Sequence, residues 1–151
     1  MAKPKVGDPA PDFELEGTGG RFNLSEQRGS RVVLLFYPGD DTPVCTRQFC
    51  SYRDDPDQLA ALDAVVVGIS SQSVASHRSF TDKHHLTVPL LADEDGAVAK
   101  AYGAYRRPLG TKRAVIIVDE TGTVVHRHDH ALGLDFESGD DLKTALDALP
   151  A

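Results

Sequence analysis

The chain has 151 residues, of which 40% are hydrophobic and 26% are charged, and these proportions predict one soluble globular domain over residues 1–151. Its formal net charge of −7 argues against a nucleic-acid partner, because the phosphates would be repelled. No apolar run approaches the roughly 18 residues needed to cross a bilayer, so we expect no membrane partner. The first residues lack the apolar core of a signal peptide, and we therefore expect a cytoplasmic protein.

The first half of the chain predicts a hairpin followed by strands that alternate with helices. Short apolar runs rich in β-branched and aromatic residues indicate strands, and glycine or proline marks their ends. In chain order we predict a hairpin (13–16 and 21–24), a helical turn (25–29), a buried strand (32–37), a helix (43–54), a second buried strand (64–70) and a helix (73–84).

The second half predicts a short extended piece (88–91), a helix (95–102), a hairpin (113–119 and 123–128) and a final amphipathic helix (140–149). Strands that alternate with helices imply a parallel pair joined by a right-handed crossover, and the later hairpin adds antiparallel strands. We therefore expect an α/β fold with a mixed central β-sheet flanked by helices and an N-terminal β-hairpin. This is the thioredoxin-like arrangement.

Both cysteines of the chain lie where the first buried strand gives way to a helix. Thr42 is expected to be the N-cap of this helix, and Pro43 suits its first position, where a missing N–H costs nothing. Cys45 then falls in the first turn, where the helix dipole and unpaired backbone N–H groups favour a thiolate. The Thr42 hydroxyl could also reach the sulfur. A buried, inert cysteine is the alternative, and the strand–turn–helix context argues against it.

Cys50 follows Cys45 by five residues. In an intact α-helix this spacing puts the two Cα atoms roughly 8.6 Å apart, which exceeds the limit of about 7 Å for a disulfide. If the two cysteines react with each other, the helix must therefore open locally. The chain has no C-x-x-C pair, which a zinc site or a thioredoxin-type redox centre would need.

The segment around Cys45 resembles the active-site signature of the peroxiredoxins. Pro38, Thr42 and Cys45 follow the aromatic pair Phe36-Tyr37 at the spacing P-x-x-x-T-x-x-C. The continuation to Cys50 is similar to the bacterioferritin-comigratory or peroxiredoxin Q branch of that family. The similarity extends over nearly the whole chain, through residues 7–13, 52–54, 89–93, 102–103 and 113–119.

Two positions depart from the pattern of that branch. Val44 stands where the branch usually has glycine, and Ala114-Val115-Ile116 replaces a more usual pairing of a hydroxyl and an aromatic residue. Neither change removes a reacting group, although both alter the expected shape of the pocket.

The resemblance implies a thiol-dependent peroxidase that reduces hydrogen peroxide and organic hydroperoxides. Cys45 would attack the peroxide and become a sulfenic acid, and Cys50 would resolve it as an intramolecular disulfide. Thioredoxin or a similar dithiol would reduce that disulfide. Thr42 and Arg113 would position the O–O bond, and Pro38 would shield the sulfur from water. The family needs no metal or organic cofactor, and we expect a monomer or a homodimer.

Two other functional classes fit the same residues. A thiol–disulfide oxidoreductase or chaperone would act on protein thiols, although the absence of C-x-x-C counts against it. A redox sensor would use a Cys45–Cys50 switch without turnover. Arg113 could instead extend from a strand end to solvent, and Pro38 could simply end a strand. Gln48 could either hydrogen-bond across the pocket or be exposed.

Three histidines, His126, His128 and His130, alternate at the end of the predicted strand 123–128, and alternate residues of an extended chain share one face. Their side chains would stand roughly 7 Å apart, because each residue rises about 3.3 Å. That spacing is awkward for three ligands of one tetrahedral ion. We therefore expect a solvated strand edge or a purification artefact rather than a metal site.

Overall fold

The computed structural model describes residues 3–40, 42–106, 110–129 and 139–148. Its elements are β1 (Glu14–Gly17), β2 (Gly20–Asn23), a 3₁₀ turn (Leu24–Gln27), β3 (Val32–Phe36), α1 (Pro43–Asp54), α2 (Pro56–Ala60), β4 (Val65–Ser70), α3 (Val74–His84), β5 (Leu90–Ala92), α4 (Ala97–Ala101), β6 (Tyr105–Arg106), β7 (Gly110–Thr111), β8 (Ala114–Val118), β9 (Val124–Asp129) and α5 (Gly139–Asp147). Within these ranges no helix is long and apolar enough to cross a membrane.

Seven of the nine described strands form one sheet in the order β2-β1-β5-β4-β3-β8-β9, and β6 and β7 form a separate two-stranded sheet. At its centre β3 pairs with β4 in parallel and with β8 in antiparallel fashion, so the sheet is mixed. The N-terminal hairpin of β1 and β2 joins the sheet through β5. This arrangement confirms the α/β, thioredoxin-like fold expected from the order of the elements.

Strand β3 is buried on both faces, which explains its continuous apolar sequence. Val33 and Leu35 point to the side covered by α1, α3 and α5, where they belong to one apolar cluster. Leu34 and Phe36 point to the opposite side, covered by α4 and the N-terminal segment. Two layers of packing therefore fix the position of β3, and with it the start of the loop that leads into α1.

Helix α1 packs closely on β4 because Gly68 has no side chain. A Cβ atom at Gly68 would lie 2.9 Å from Phe49 Cζ and 2.8 Å from Leu90 Cδ2. The Phe49 ring also makes edge contacts with Tyr37 and Tyr52, at centroid distances of 4.8 and 5.8 Å. Phe49 is therefore the side chain that anchors the middle of α1 to the sheet.

Some elements differ from their predicted bounds. Helix α4 begins two residues later than expected, because Gly96 has a positive φ of 72° and the Asp93 carboxylate accepts hydrogen bonds from Val98 N and Ala99 N. The two-residue strands β6 and β7 are too short to show an alternating pattern in the sequence. The predicted last residue of the final helix, 149, lies outside the described residues.

Candidate active site

Cys45 lies in the first turn of α1, as predicted. Thr42 occupies the N-cap position with an extended backbone (φ −79°, ψ 149°), and Pro43 is the first helical residue. The Thr42 carbonyl accepts the first helical hydrogen bond, from Thr46 N at 2.9 Å. Cys45 is 0% exposed and packs in the apolar cluster beneath α1. The sulfur is therefore shielded from bulk water while the backbone N–H groups of the helix start lie close by.

Arg113 brings a permanent positive charge to this sulfur. Its Nη2 donates a hydrogen bond to Cys45 Sγ at 2.9 Å, although the two residues are 68 positions apart in the chain. Arg113 is 1% exposed, so its guanidinium is buried with the sulfur. A cation in a site without bulk water interacts strongly with a nearby anion, so Arg113 is placed to stabilise negative charge on this sulfur.

Gln48 holds the same guanidinium from the next turn of α1. Its Oε1 accepts a hydrogen bond from Arg113 Nη1, and its Nε2 donates to Tyr52 Oη at 3.0 Å. Gln48 is 1% exposed, which decides between the two environments that the sequence left open. The signal was present in its spacing, because residues three apart on a helix share a face and Gln48 follows Cys45 by three.

One donor of the guanidinium has no partner among the described residues. Among the described residues, no acceptor lies within hydrogen-bonding distance of the buried Arg113 Nε. Buried donors without a partner are rare in folded proteins, since the lost hydrogen bond to water is not replaced. This N–H belongs to the same planar group that contacts Cys45, so it is available to an oxygen atom of a ligand bound next to the sulfur.

The loop between β3 and α1 carries Thr42 and Pro38. Thr42 Oγ1 donates its proton to Gly39 O at 3.0 Å and makes no capping bond to a helix N–H. Because that proton is already engaged, the hydroxyl presents lone pairs that can accept a hydrogen bond from a ligand. Pro38 ends the run of buried residues of β3, and its own side chain is exposed.

Cys50 lies on the same helix as Cys45, is half-buried, and like Cys45 is a free thiol. Helix α1 runs without interruption from Pro43 to Asp54. An unbroken helix separates the two Cα atoms by roughly 8.6 Å, too far for a disulfide. The structure therefore describes a reduced form, in which Cys45, Gln48 and Arg113 are brought together and Cys50 is not.

Two of the three alternating histidines lie at the edge of the sheet. His126 and His128 lie on the edge strand β9, and His128 is exposed. His130 lies outside the described residues. In the described part of the chain, no group of three histidine, cysteine, aspartate or glutamate side chains could hold a metal ion.

The sequence that forms this site matches a known protein family. The model of the AhpC/TSA family matches residues 6–127. Peroxiredoxin Bcp of Bacillus subtilis is 36% identical over 129 residues, which cover 80% of this chain and 82% of the relative. The chain belongs to the AhpC/TSA family of peroxiredoxins.

Other peroxiredoxins show the same branch and fold. Chloroplastic peroxiredoxin Q of Oryza sativa subsp. japonica is 36% identical over 144 residues, which cover 93% of this chain and 66% of the relative. The crystal structure of peroxidoxin BcpB from Mycobacterium tuberculosis superimposes with a TM-score of 0.83 and 32% identity, covering 98% of this chain and 99% of the other. The family and the branch expected from the sequence are confirmed, and this peroxiredoxin is a thiol-dependent peroxidase.

Proposed function

We propose that Cys45 is the peroxidatic cysteine and that Arg113 activates both the thiolate and the peroxide. The observation that carries this proposal is the 2.9 Å contact from Arg113 Nη2 to Cys45 Sγ, beside an Nε that has no partner among the described residues. The thiolate attacks the terminal peroxide oxygen, forming an S–O bond as the O–O bond breaks. Cys45 becomes a sulfenic acid, and the leaving oxygen takes up a proton and departs as water or an alcohol.

Each remaining group of the site has a defined part in this step. Arg113 Nε donates to a peroxide oxygen, where its charge stabilises the negative charge that develops as the O–O bond breaks. The Thr42 hydroxyl accepts a hydrogen bond from the peroxide O–H, because its own proton is bound to Gly39 O. We assign Pro38, at the outer side of the loop, the role of limiting access of water to the sulfur.

The burial of Cys45 favours a peroxide over a protein thiol as the first reactant. Its 0% exposure leaves no surface on which another protein could present a sulfur atom. Hydrogen peroxide and small organic hydroperoxides need far less space beside the sulfur than a protein that presents a thiol. This observation supports a peroxidase over a thiol–disulfide oxidoreductase.

Cys50 is proposed as the resolving cysteine. Its thiolate would attack the sulfenic sulfur of Cys45 and release water, which leaves an intramolecular disulfide. Since the reduced helix holds the two residues apart, α1 must unwind locally before this step. Thioredoxin or a similar dithiol would then reduce the disulfide and return the helix to its starting form.

We further propose that residues 1–151 act as one domain, as a monomer or a homodimer in the cytoplasm. The sheet supports a single unit, because its described strands extend from Glu14 to Asp129 and join both halves of the chain. A redox-active cysteine pair supports a compartment in which dithiol reductants are kept reduced.

Three proteins tested in one coupled assay would decide the proposed chemistry. The wild type should oxidise NADPH continuously with hydrogen peroxide, thioredoxin and thioredoxin reductase. Cys45→Ser should show no turnover while keeping its fold by circular dichroism. Cys50→Ser should consume about one equivalent of peroxide per chain and retain a sulfenic acid that dimedone traps. Turnover by Cys45→Ser would reverse the two roles, and a single oxidation of the wild type without turnover would indicate a redox sensor.

A further inference from the structure

A buried pair, Asp40 and His77, joins the loop that carries Thr42 to helix α3. His77 Nδ1 lies 2.7 Å from Asp40 Oδ2, and the two side chains are 0% and 4% exposed. Asp40 belongs to the loop between β3 and α1, whereas His77 lies on α3. None of the residues assigned to the peroxide reaction above is a member of this pair.

Both ring nitrogens of His77 face acceptors. Nε2 lies 2.9 Å from the backbone oxygen of Leu91 in β5, and a carbonyl can only accept a hydrogen bond. Nδ1 faces the Asp40 carboxyl group. A neutral histidine ring carries one proton, so it would turn a lone pair towards one of these two oxygens. Both ring nitrogens can donate a hydrogen bond only when the ring carries two protons, as an imidazolium.

The surroundings of Asp40 are those of an ionised carboxylate. Tyr37 Oη donates to Oδ1 at 2.7 Å, and Ser76 Oγ donates to Oδ2 at 2.7 Å. Burial by itself raises the pKa of Asp40, but the hydrogen bonds from His77, Tyr37 and Ser76 outweigh it and hold that pKa below its usual range. Asp40 N also donates to Gln72 Oε1 at 3.2 Å, so both the side chain and the backbone of Asp40 are fixed.

Asp40 lies next to the carbonyl group that holds the Thr42 hydroxyl. Gly39, whose carbonyl accepts the proton of Thr42 Oγ1, immediately precedes Asp40. A displacement of Asp40 would therefore move the acceptor that orients this hydroxyl. Cys45 and Arg113 are held by separate contacts, through α1 and Gln48. The pair can thus act on the peroxide-binding loop without acting directly on the sulfur.

We propose that Asp40 and His77 form a buried carboxylate–imidazolium ion pair that positions the Thr42 hydroxyl for the bound peroxide. Both are positioning residues of the peroxidase reaction, and neither touches the reacting atoms. This inference rests on the role proposed above for Thr42. Tyr37 completes the arrangement, because its hydroxyl lies 3.3 Å from His77 Nδ1 and donates to the same carboxylate.

The charge of the ring can be measured on the unmodified protein. In a long-range ¹H–¹⁵N correlation spectrum of the reduced, ¹⁵N-labelled chain at pH 7, both ring nitrogens of His77 should have the shifts of protonated nitrogens. His128, which is exposed, provides an internal reference for a ring in contact with solvent. An unprotonated-type shift for either His77 nitrogen would overturn the ion pair. No variant is needed, so the result does not depend on the folding of a mutant.

The positioning role is tested by two reactions of Cys45 in Asp40→Asn and His77→Gln. The chain has no tryptophan, so oxidation by hydrogen peroxide is followed by rapid quench and mass spectrometry. Its rate should fall by about 10- to 100-fold, as expected for a misplaced reactant. Alkylation by iodoacetamide, which does not use Thr42, should change by less than about twofold. His128→Gln, the matched histidine variant, should leave both rates unchanged.

A double-mutant cycle separates this inference from the proposed function. Thr42→Val should slow oxidation, and adding Asp40→Asn to it should cause little further loss, because both changes remove the same interaction. Fully additive losses, or equal losses of oxidation and alkylation in Asp40→Asn, would overturn the positioning role. If Thr42→Val alone oxidised at the wild-type rate, the role of Thr42 would fail, whatever the charge of His77.

Discussion

Arg113 Nη2 lies 2.9 Å from Cys45 Sγ, and this contact joins the first turn of α1 to the residue that immediately precedes β8. The sheet register sets the distance. Phe36, the last residue of β3, is the direct partner of Ala114 in β8. The chain that leaves β3 towards Cys45 therefore starts beside Arg113. The cation and the sulfur meet because β3 ends where the antiparallel strand β8 begins.

Arg113→Met should slow the reaction of Cys45 with peroxide. The substitution removes the cation that contacts the sulfur and the N–H groups that would stabilise charge on the leaving oxygen. Oxidation by hydrogen peroxide, measured by rapid quench at pH 7, should therefore slow by at least about 10-fold, and alkylation by iodoacetamide should slow as well. Arg47→Met is the matched control, since Arg47 is exposed on the same helix. Unchanged rates of both reactions in Arg113→Met would contradict the contact with the sulfur.

Gln48→Ala should reduce the oxidation rate by less than Arg113→Met does. The substitution leaves the charge of Arg113 in place but removes the acceptor that orients its guanidinium, together with the bond to Tyr52. We expect a loss of several-fold, measured by rapid quench, with a smaller change in alkylation. Gln58→Ala in α2 is the control for a glutamine truncation. Equal rates for Gln48→Ala and the wild type would show that Arg113 is held adequately without Gln48.

Oxidation should lower the protection of α1 against amide hydrogen exchange. A disulfide between Cys45 and Cys50 requires at least one helical turn to open, which sacrifices several backbone hydrogen bonds worth about 1 kcal/mol each. Exchange between residues 45 and 53 should therefore be faster in the oxidised protein. Cys50→Ser treated with the same amount of peroxide should keep the slow exchange of the reduced form. Equal protection in both redox states of the wild type would point to disulfides between chains.

Asp119 should contribute stability that is lost in acid. Its Oδ1 accepts hydrogen bonds from Thr121 N, Thr121 Oγ1 and Thr123 N at 2.9, 2.7 and 3.0 Å. Slight burial raises the pKa of Asp119, but these bonds outweigh it and hold the pKa below its usual value. The folded protein therefore binds this proton less readily than the unfolded chain. Its contribution is complete above the unfolded pKa of about 3.9 and disappears as the pH falls through the lower folded value.

Two variants separate the charge of Asp119 from its hydrogen bonds. Asp119→Asn can present an oxygen at the same place, so urea unfolding at pH 7 should show a loss below about 1 kcal/mol, with a weaker acid dependence than the wild type. Asp119→Ala loses all three bonds and should cost about 1 to 2 kcal/mol. Equal acid dependence in Asp119→Asn and the wild type would rule out this carboxylate as a source of acid sensitivity.

The part of the site that lies at the start of α1 could be predicted from the sequence, because it depends only on the preferences of neighbouring residues for helix positions. Thr42 and Pro43 are enough to predict where α1 begins, and that start places Cys45 in the first turn. The central strands were predictable for a similar reason, since a strand buried on both faces must be apolar throughout. The short strands β6 and β7 were not predicted, because two residues are too few to show the alternation of apolar and polar side chains that is typical of a strand.

The contacts between distant residues could not be predicted in the same way. Nothing near Arg113 in the sequence indicates which side chain it meets, and only the family resemblance pointed to Cys45. His77 looks like an ordinary polar residue of α3, yet it is fully buried because Asp40 and the Leu91 carbonyl are both within reach. Such pairs depend on strand order and helix packing, which the linear pattern does not contain.

The Phe49 ring packs directly against the backbone of Gly68, and this contact must be lost if the enzyme forms the Cys45–Cys50 disulfide. If α1 unwinds so that Cys50 can reach Cys45, the Phe49 ring leaves its place, and Gly68 has no side chain with which to fill it. The vacated recess would be walled by Leu90 and Tyr37, both apolar at this point. The oxidised form would therefore give up the burial of one aromatic ring on the sheet, and this lost burial adds to the free energy needed to open the helix.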